Sequence, residues 1–386
     1  STISEWLINY SGGFTKRGII GQLCIYLANY FGINLRDSIL IFQIMILIIY
    51  FFVLYLFLKN IHINKIIILA IFTPVFILYP VAEIEVLARK EIFIFCIFIF
   101  YLFLKKNTYR LYYKLFFLPL AVLIWEPVCF FFLFFFAIDL IQTQSKKLDI
   151  KFVKIISSFI PAMILVCYIV LNPIGAENHQ IMADYLMINF NENCYMSCEL
   201  LKSKSSIYDQ FAGNFDSYSF EVFFRYTLII LFGFGPLFIL AFNSTLKNSK
   251  IIFFEKFDNL LSPILICLTP VIFLFAMGYD WGRWVNISYV FSIIFYIYLY
   301  KSNKVLLNKN FLNNKIFKSL NSKKFFVIFV IIFCFGWNPK TVISGDIATN
   351  PLWKIPYNAS KILFGFNNFR ILQDSPISKW HKEYIE

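Results

Sequence analysis

Charge is scarce in this chain. Asp, Glu, Lys and Arg make up 15% of the 386 residues, hydrophobic residues make up 60%, and mean hydropathy is +0.71. A soluble domain of this size needs more polar surface than that to cover its core, so a soluble globular protein is excluded. Glycine is scarce as well, at 14 residues, and histidine is down to three. No Gly-rich phosphate loop, no His-Glu-x-x-His and no Gly-x-Ser-x-Gly occurs, so cytoplasmic nucleotide chemistry has no support. Neither an internal repeat nor a low-complexity linker is visible, apart from the Lys/Asn-rich 301–324. That absence counts against transporters built from repeated halves.

What is present is oil. A span needs about 20 apolar residues for a ~30 Å hydrocarbon layer, fewer where the bilayer thins. Runs near 38–58, 66–80, 86–104, 112–125, 127–141, 152–172, 223–242, 260–278, 284–300 and 325–337 qualify. The predicted fold is therefore all-α: a polytopic membrane helical bundle of about ten spans over 1–337, with a tail at 338–386. The segment 18–35 is interrupted by Gln22, Asn29 and Asn34. Its Ile19, Ile20, Leu23, Leu27, Tyr30 and Phe31 fall at helical spacing, which predicts an amphipathic helix in the interface. The fifty Phe fit an AT-rich coding bias and are expected to be lipid-facing bulk.

The formal net charge of +13 is read as topology rather than as a nucleic-acid signal. Loops 59–65, 105–114, 142–154, 243–259 and 301–324 hold twenty Lys/Arg against three acids, Asp149, Glu255 and Asp258. They alternate with the other loops, which places them in the cytoplasm. The outer side then receives 1–37, the large loop 173–222 and both chain ends, with a removed leader or a first membrane helix expected before Ser1. The apolar run 115–141 has Lys114 and Lys146-Lys147 at its two ends. It must therefore turn back, and Trp125-Glu126-Pro127 is where it breaks.

Every unusual cluster of charge with Gly, Trp or Tyr falls on that outer side. The first is Glu5-Trp6-Leu7-Ile8-Asn9-Tyr10-Ser11-Gly12-Gly13-Phe14-Thr15-Lys16-Arg17-Gly18. Others are Glu83–Glu91, which contains Glu85, Arg89 and Lys90, then Glu126, Arg225, and Tyr279-Asp280-Trp281-Gly282-Arg283-Trp284. Outer cations oppose the positive-inside bias, and Lys16, Arg17, Arg89, Lys90, Arg225 and Arg283 suit a lipid phosphate. Gly12 and Gly13 would let backbone N–H groups approach it, ahead of a helix N-terminus. Against these stand plainer roles: a turn for the glycines, a helix-surface ion pair for Glu85 and Arg89, and a closed turn for Asp280 and Arg283. Trp6, Tyr10, Trp281 and Trp284 suit an interfacial aromatic belt first and sugar stacking second. A carboxylate as isolated as Glu126 marks a functional site unless it only caps a helix. Cys194 and Cys198 suit a disulfide in an oxidising compartment. A metal there is disfavoured because His179 is distant in sequence, so no metal ligand is assigned, although a divalent cofactor stays open.

With its charged first outer loop, interfacial helix and paired short helices, the stretch EWLINYSGGFTKRGIIG resembles the type C glycosyltransferases and bacterial surface-polysaccharide polymerases. The resemblance implies a polyprenyl-phosphate sugar or polyprenyl-linked glycan, bound beside membrane lipid at the outer face of the bacterial inner membrane. Envelope-polysaccharide assembly proteins would be the partners, with no nucleic acid. It also implies an acid of the first outer loop as general base, the place Glu5 occupies. Many members carry two adjacent acids there, where this chain has Glu5-Trp6. Glu83, Glu85, Glu126 and Asp280 are the other candidate acids. Attack of a hydroxyl opposite a phosphate leaving group predicts inversion. A lipid-linked glycan flippase, and more distantly an acyltransferase, are the competing classes.

Overall fold

The computed structural model describes residues 3–83, 86–144, 149–202, 207–215, 218–247, 251, 253–308 and 322–343. Among them the chain is helical almost throughout. Its strands are one short antiparallel pair, Ser244–Leu246 with Val305–Leu307. Glu85, most of the 338–386 tail and much of the basic loop 301–324 lie outside the described residues.

The bundle is arranged about the helix Trp281–Lys301, in which every residue from Trp281 to Leu299 is buried. A helix buried on all sides must satisfy its polar side chains locally. Asn286 Nδ2 donates to Val75 O at 2.8 Å, Tyr289 Oη to Ala70 O at 2.6 Å, and Ser292 Oγ to Ser288 O at 2.7 Å. Around this axis pack Glu91–Phe103, Phe132–Thr143, Phe220–Phe242 and Ile272–Met277. Helix starts carry side-chain caps at Asn64, Asp149 and Ser219, each accepting from the backbone N–H three residues on.

Among the described residues four helical segments are long and apolar enough to cross a membrane: Leu35–Leu58, Glu126–Thr143, Ile150–Leu171 and Phe220–Phe242. Large apolar side chains such as Phe116, Ile164, Leu171 and Phe232 face outward along the bundle. That much exposed apolar surface belongs in lipid. The chain is a helical membrane protein.

Several expected spans take a more broken form. The run 66–80 is a short helix, Lys65–Ile71, followed by turns and then Tyr79–Ala82. The run 260–278 is split by a 3-10 turn at Thr269–Val271, where Pro270 removes a donor. The segment expected as a helix over 18–35 is helical over Gly18–Phe31, with Ile20, Cys24, Ile25 and Ala28 turned inward and Leu23, Tyr30 and Phe31 outward. The expectation for phenylalanine fails in part. Phe98, Phe131, Phe134, Phe135 and Phe291 are fully buried, with ring centroids 4.5–6.5 Å apart, and they form the middle of the bundle. Aromatic edges packed on faces fill such a core well.

Candidate functional site

Five elements end at one place. Ser4–Leu7 forms a 3-10 turn carrying Glu5, Arg17 caps Gly18–Phe31, and Arg89-Lys90-Glu91 opens Glu91–Phe103. Glu126 begins the 3-10 turn that follows Asn107–Ile124, and Asp280 and Arg283 open the axial helix. Clusters up to 278 residues apart in sequence meet there.

The floor is Arg283. Its Nη2 lies 3.2 Å from Glu5 Oε1 and its Nη1 lies 3.0 Å from Asp280 Oδ2, and it also contacts Glu91 directly. The side chains of Arg283, Glu5 and Glu91 are each 4% exposed. Arg283 also lies 5.2 Å from the Trp284 ring, a cation–π contact. Arg89 joins Glu5 at 3.7 Å to Asp280 at 3.5 Å. Arg17 grips Glu126 with a two-pronged fork, Nε to Oε2 at 2.7 Å and Nη2 to Oε1 at 2.8 Å, and its Nη1 lies 3.8 Å from Glu5. Lys16 stands 3.7 Å from Glu126, and Lys90 Nζ donates to the Arg17 carbonyl at 2.5 Å.

Two residues here hold left-handed backbone, Arg17 at φ 63° and Ala88 at φ 57°. Each costs on the order of 1–2 kcal/mol. In return each carbonyl points inward: Arg17 O accepts from Lys90, and Ala88 O accepts from Trp6 Nε1 at 3.1 Å. Burial pushes the Glu5 carboxyl up, but Arg283, Arg17, Arg89 and Lys90 together outweigh it and hold it at about 2.

The cluster thus unites Glu5, Lys16, Arg17, Arg89, Lys90, Glu126, Asp280 and Arg283. Other candidates lie elsewhere. Gly12 has no room for a phosphate: a Cβ there would sit 1.9 Å from Asn178 O, so the glycine lets the opening stretch lie against the helix Ala176–Phe190. Gly13, at φ 104°, completes the same turn, and its N–H donates to Tyr10 O at 3.0 Å. The Tyr10 ring packs against Gly18 and stacks on Phe14. Arg225 donates to Ile343 O at 3.1 Å, on the segment 338–343 that folds back over the Asp280–Arg283 turn. Trp281 is not placed to stack on a sugar. It is buried among Tyr218, Phe223, Tyr226 and Phe275, with Nε1 donating to Phe275 O at 2.7 Å. Trp6 and Trp284 are likewise interior.

Two members were not picked out from the sequence. Glu91 stands in the sequence only as the last residue of the charged run 83–91. Lys340 pairs with Glu83 at 3.3 Å beside the cluster, and nothing in the sequence signals that contact. Cys194 and Cys198 are joined as a disulfide, in keeping with their spacing. His179, distant in sequence, is nevertheless beside them, its Nε2 3.4 Å from Cys194 Sγ and 3.0 Å from Cys198 O.

No protein-family model, curated protein or solved structure matches the chain.

Exposure sorts the cluster into two layers. Arg283, Glu5 and Glu91 form a buried floor, whereas Lys16 is 39% exposed, Asp280 30%, Arg17 19%, Glu126 16% and Arg89 13%. An accessible rim of three cations with two carboxylates, Glu126 held in the Arg17 fork and Asp280 more solvated, can hold an anion and accept a proton beside it.

Proposed function

We propose that the chain is a membrane glycosyltransferase or polysaccharide polymerase. It takes a polyprenyl-phosphate-linked sugar or glycan at the outer face of the bacterial inner membrane. The observation that supports this is the rim itself: Lys16, Arg17 and Arg89 stand with Asp280 and Glu126 over a buried floor in which Arg283 is paired with Glu5 and Glu91. In this reading Arg89 holds the lipid phosphate with Lys16 as a point charge, and Arg17, whose fork is taken by Glu126, contributes its charge.

Glu5 changes role. A carboxylate held at about 2 by four cations has little affinity for a proton at neutral pH, so it anchors Arg283 and Arg89. The base is Asp280. Its carboxylate takes the proton of an acceptor sugar hydroxyl as that oxygen bonds to the anomeric carbon. The bond from that carbon to the phosphate oxygen breaks, and the lipid phosphate leaves with the electron pair onto Arg89 and Arg17. Attack opposite the leaving group inverts the anomeric centre.

The test is sugar transfer by purified protein from a polyprenyl-phosphate donor. Asp280→Asn should lower kcat by at least ~100-fold, the range of a lost general base. Full rates in both Asp280→Asn and Arg89→Ala would sink the proposal. Glycan movement across vesicles without any transfer would favour the flippase. Sidedness is checked by labelling Asn189→Cys, which is exposed on the large loop; labelling only from the cytoplasm would overturn the orientation.

A further inference from the structure

The helices that meet at the Glu5 cluster carry a second polar group near their opposite ends. Glu91–Phe103 runs from Glu91 to Tyr101, and Trp281–Lys301 runs from Arg283 to Tyr298. Asn107–Ile124 carries Arg110 and Lys114 near its start and leads to Glu126 at its end. From Arg283 to Tyr298 the axial helix rises about 22 Å. The phenylalanine core lies between the two groups. With one group at a membrane interface, the other falls within side-chain reach of the opposite headgroup layer, across a hydrocarbon layer of about 30 Å.

In this second group Lys114 and Asp139 form a buried ion pair, and Tyr101 donates its hydroxyl to the same carboxylate. Arg110 sits one turn before Lys114 and is 2% exposed. Its Nε donates to Leu104 O at 2.8 Å and its Nη2 to Tyr298 Oη at 2.6 Å, but its Nη1 is buried without a partner. No ion pair joins it to a carboxylate among the described residues. A guanidinium cannot shed its proton to escape such a place. Gln142 Nε2 also donates to Tyr298 Oη, at 2.5 Å. That oxygen therefore receives two donors, and its own hydrogen must find another acceptor. The corner of Arg110, Tyr298 and Gln142 holds more N–H and O–H donors than its one shared acceptor, Tyr298 Oη, uses, and with Lys114 and Asp139 it carries one net positive charge.

We propose that Arg110, Tyr298 and Gln142 form a second anion site, at the end of the bundle opposite the Glu5 cluster, which takes a phosphate group. Exposed Lys105 and Lys106 one turn upstream flank its approach. The phosphate belongs either to a phospholipid headgroup at that interface or to a free phosphate.

The detergent-purified full chain is titrated with phosphatidylglycerol, with diacylglycerol, which lacks the phosphate, and separately with inorganic phosphate. The readouts are apparent Tm and lipid adducts in native mass spectrometry. At least one phosphate probe should raise Tm by about 3–5 °C, and diacylglycerol should not. The shift should fall below ~1 °C in Arg110→Gln and shrink in Tyr298→Phe, yet persist in Arg89→Ala, which disables the other cluster. If Arg110→Gln fails to fold, Tyr298→Phe, which removes one oxygen, decides. A response to phosphatidylglycerol alone assigns the lipid; an equal response to inorganic phosphate assigns the free anion. No shift with either probe, or a shift undiminished in Tyr298→Phe, overturns the proposal. Persistence in Arg89→Ala keeps this result separate from the fate of the glycosyl-transfer reading.

Discussion

Replacing Arg283 with methionine tests whether the floor of the Glu5 cluster is held by charge. Arg283 touches three acids and is 4% exposed. At an effective dielectric of about 20, unit charges at the 3.2 Å of the Glu5 contact attract by roughly 5 kcal/mol before desolvation is counted. Glu5 keeps Arg17 and Arg89 in the variant, at 3.8 and 3.7 Å. Glu91 keeps no cation, since its ion pairing among the described residues is to Arg283. Leaving one buried charge unpaired costs about 3–5 kcal/mol, while methionine replaces much of the lost packing. Over a chain this long that is on the order of 4–6 °C in apparent Tm. The assay is scanning fluorimetry at one fixed scan rate, because detergent-solubilised helical proteins often unfold irreversibly. Adding Glu91→Gln to Arg283→Met should restore roughly half of the loss by removing the stranded charge. An Arg283→Met protein melting within a degree of wild type would refute the electrostatic argument. So would a double variant no better than the single one.

Four other outcomes follow from the geometry. Arg17→Met and Glu126→Gln should each lower Tm, and their combination should lower it less than the sum, with a coupling of about 1–2 kcal/mol for a partly exposed fork. Gly12→Ala should cost about 1–3 kcal/mol, because its Cβ would meet Asn178 O at 1.9 Å; Gly213→Ala, inside a helix with open space around it, should hold or raise Tm in the same melt. For Glu5, folding depresses the pKa from 4.5 to about 2, so the unfolded chain binds more protons between those values and stability rises with pH there. The contribution is complete above about 4.5 and is lost as pH falls toward 2, so the acid limb of Tm against pH should be shallower in Glu5→Gln than in wild type. Reducing Cys194–Cys198 releases only a five-residue loop. About 2 kcal/mol should be lost on that count, read as a Tm decrease that Cys194→Ser/Cys198→Ser reproduces and that dithiothreitol no longer deepens.

The membrane class was legible from hydropathy, and the meeting of Glu5, Arg17, Arg89, Glu126, Asp280 and Arg283 was legible from sidedness. Alternating basic loops put all of these near one end of the helices, and the helices then had to bring them together. Pairing was legible only in part. The turn pair of Asp280 and Arg283 was legible and forms at 3.0 Å, but Arg283 also reaches Glu91, 192 residues away, and nothing in the sequence signals that contact. The glycines misled because Gly12 reads the same whether it faces a phosphate or a neighbouring helix, and only Asn178 decides between them. Phenylalanine misled for a similar reason. Its hydropathy suits lipid and core alike, and Phe116 faces out while Phe98 fills the centre. Asp139 lies alone in an apolar run, and nothing in the sequence points to Lys114, 25 residues earlier, as its partner.

The most direct measurement is the affinity of the purified chain for a short-chain polyprenyl phosphate, compared with the same polyprenol lacking its phosphate. Wild type should bind the phosphate at micromolar Kd and the alcohol at least ~10-fold more weakly. Arg89→Ala should lose at least ~10-fold for the phosphate alone, the ~1.4 kcal/mol expected of one charge-assisted contact. Equal binding of phosphate and alcohol, or an Arg89→Ala protein that binds the phosphate as wild type does, would show that the rim of the Glu5 cluster is not a phosphate site.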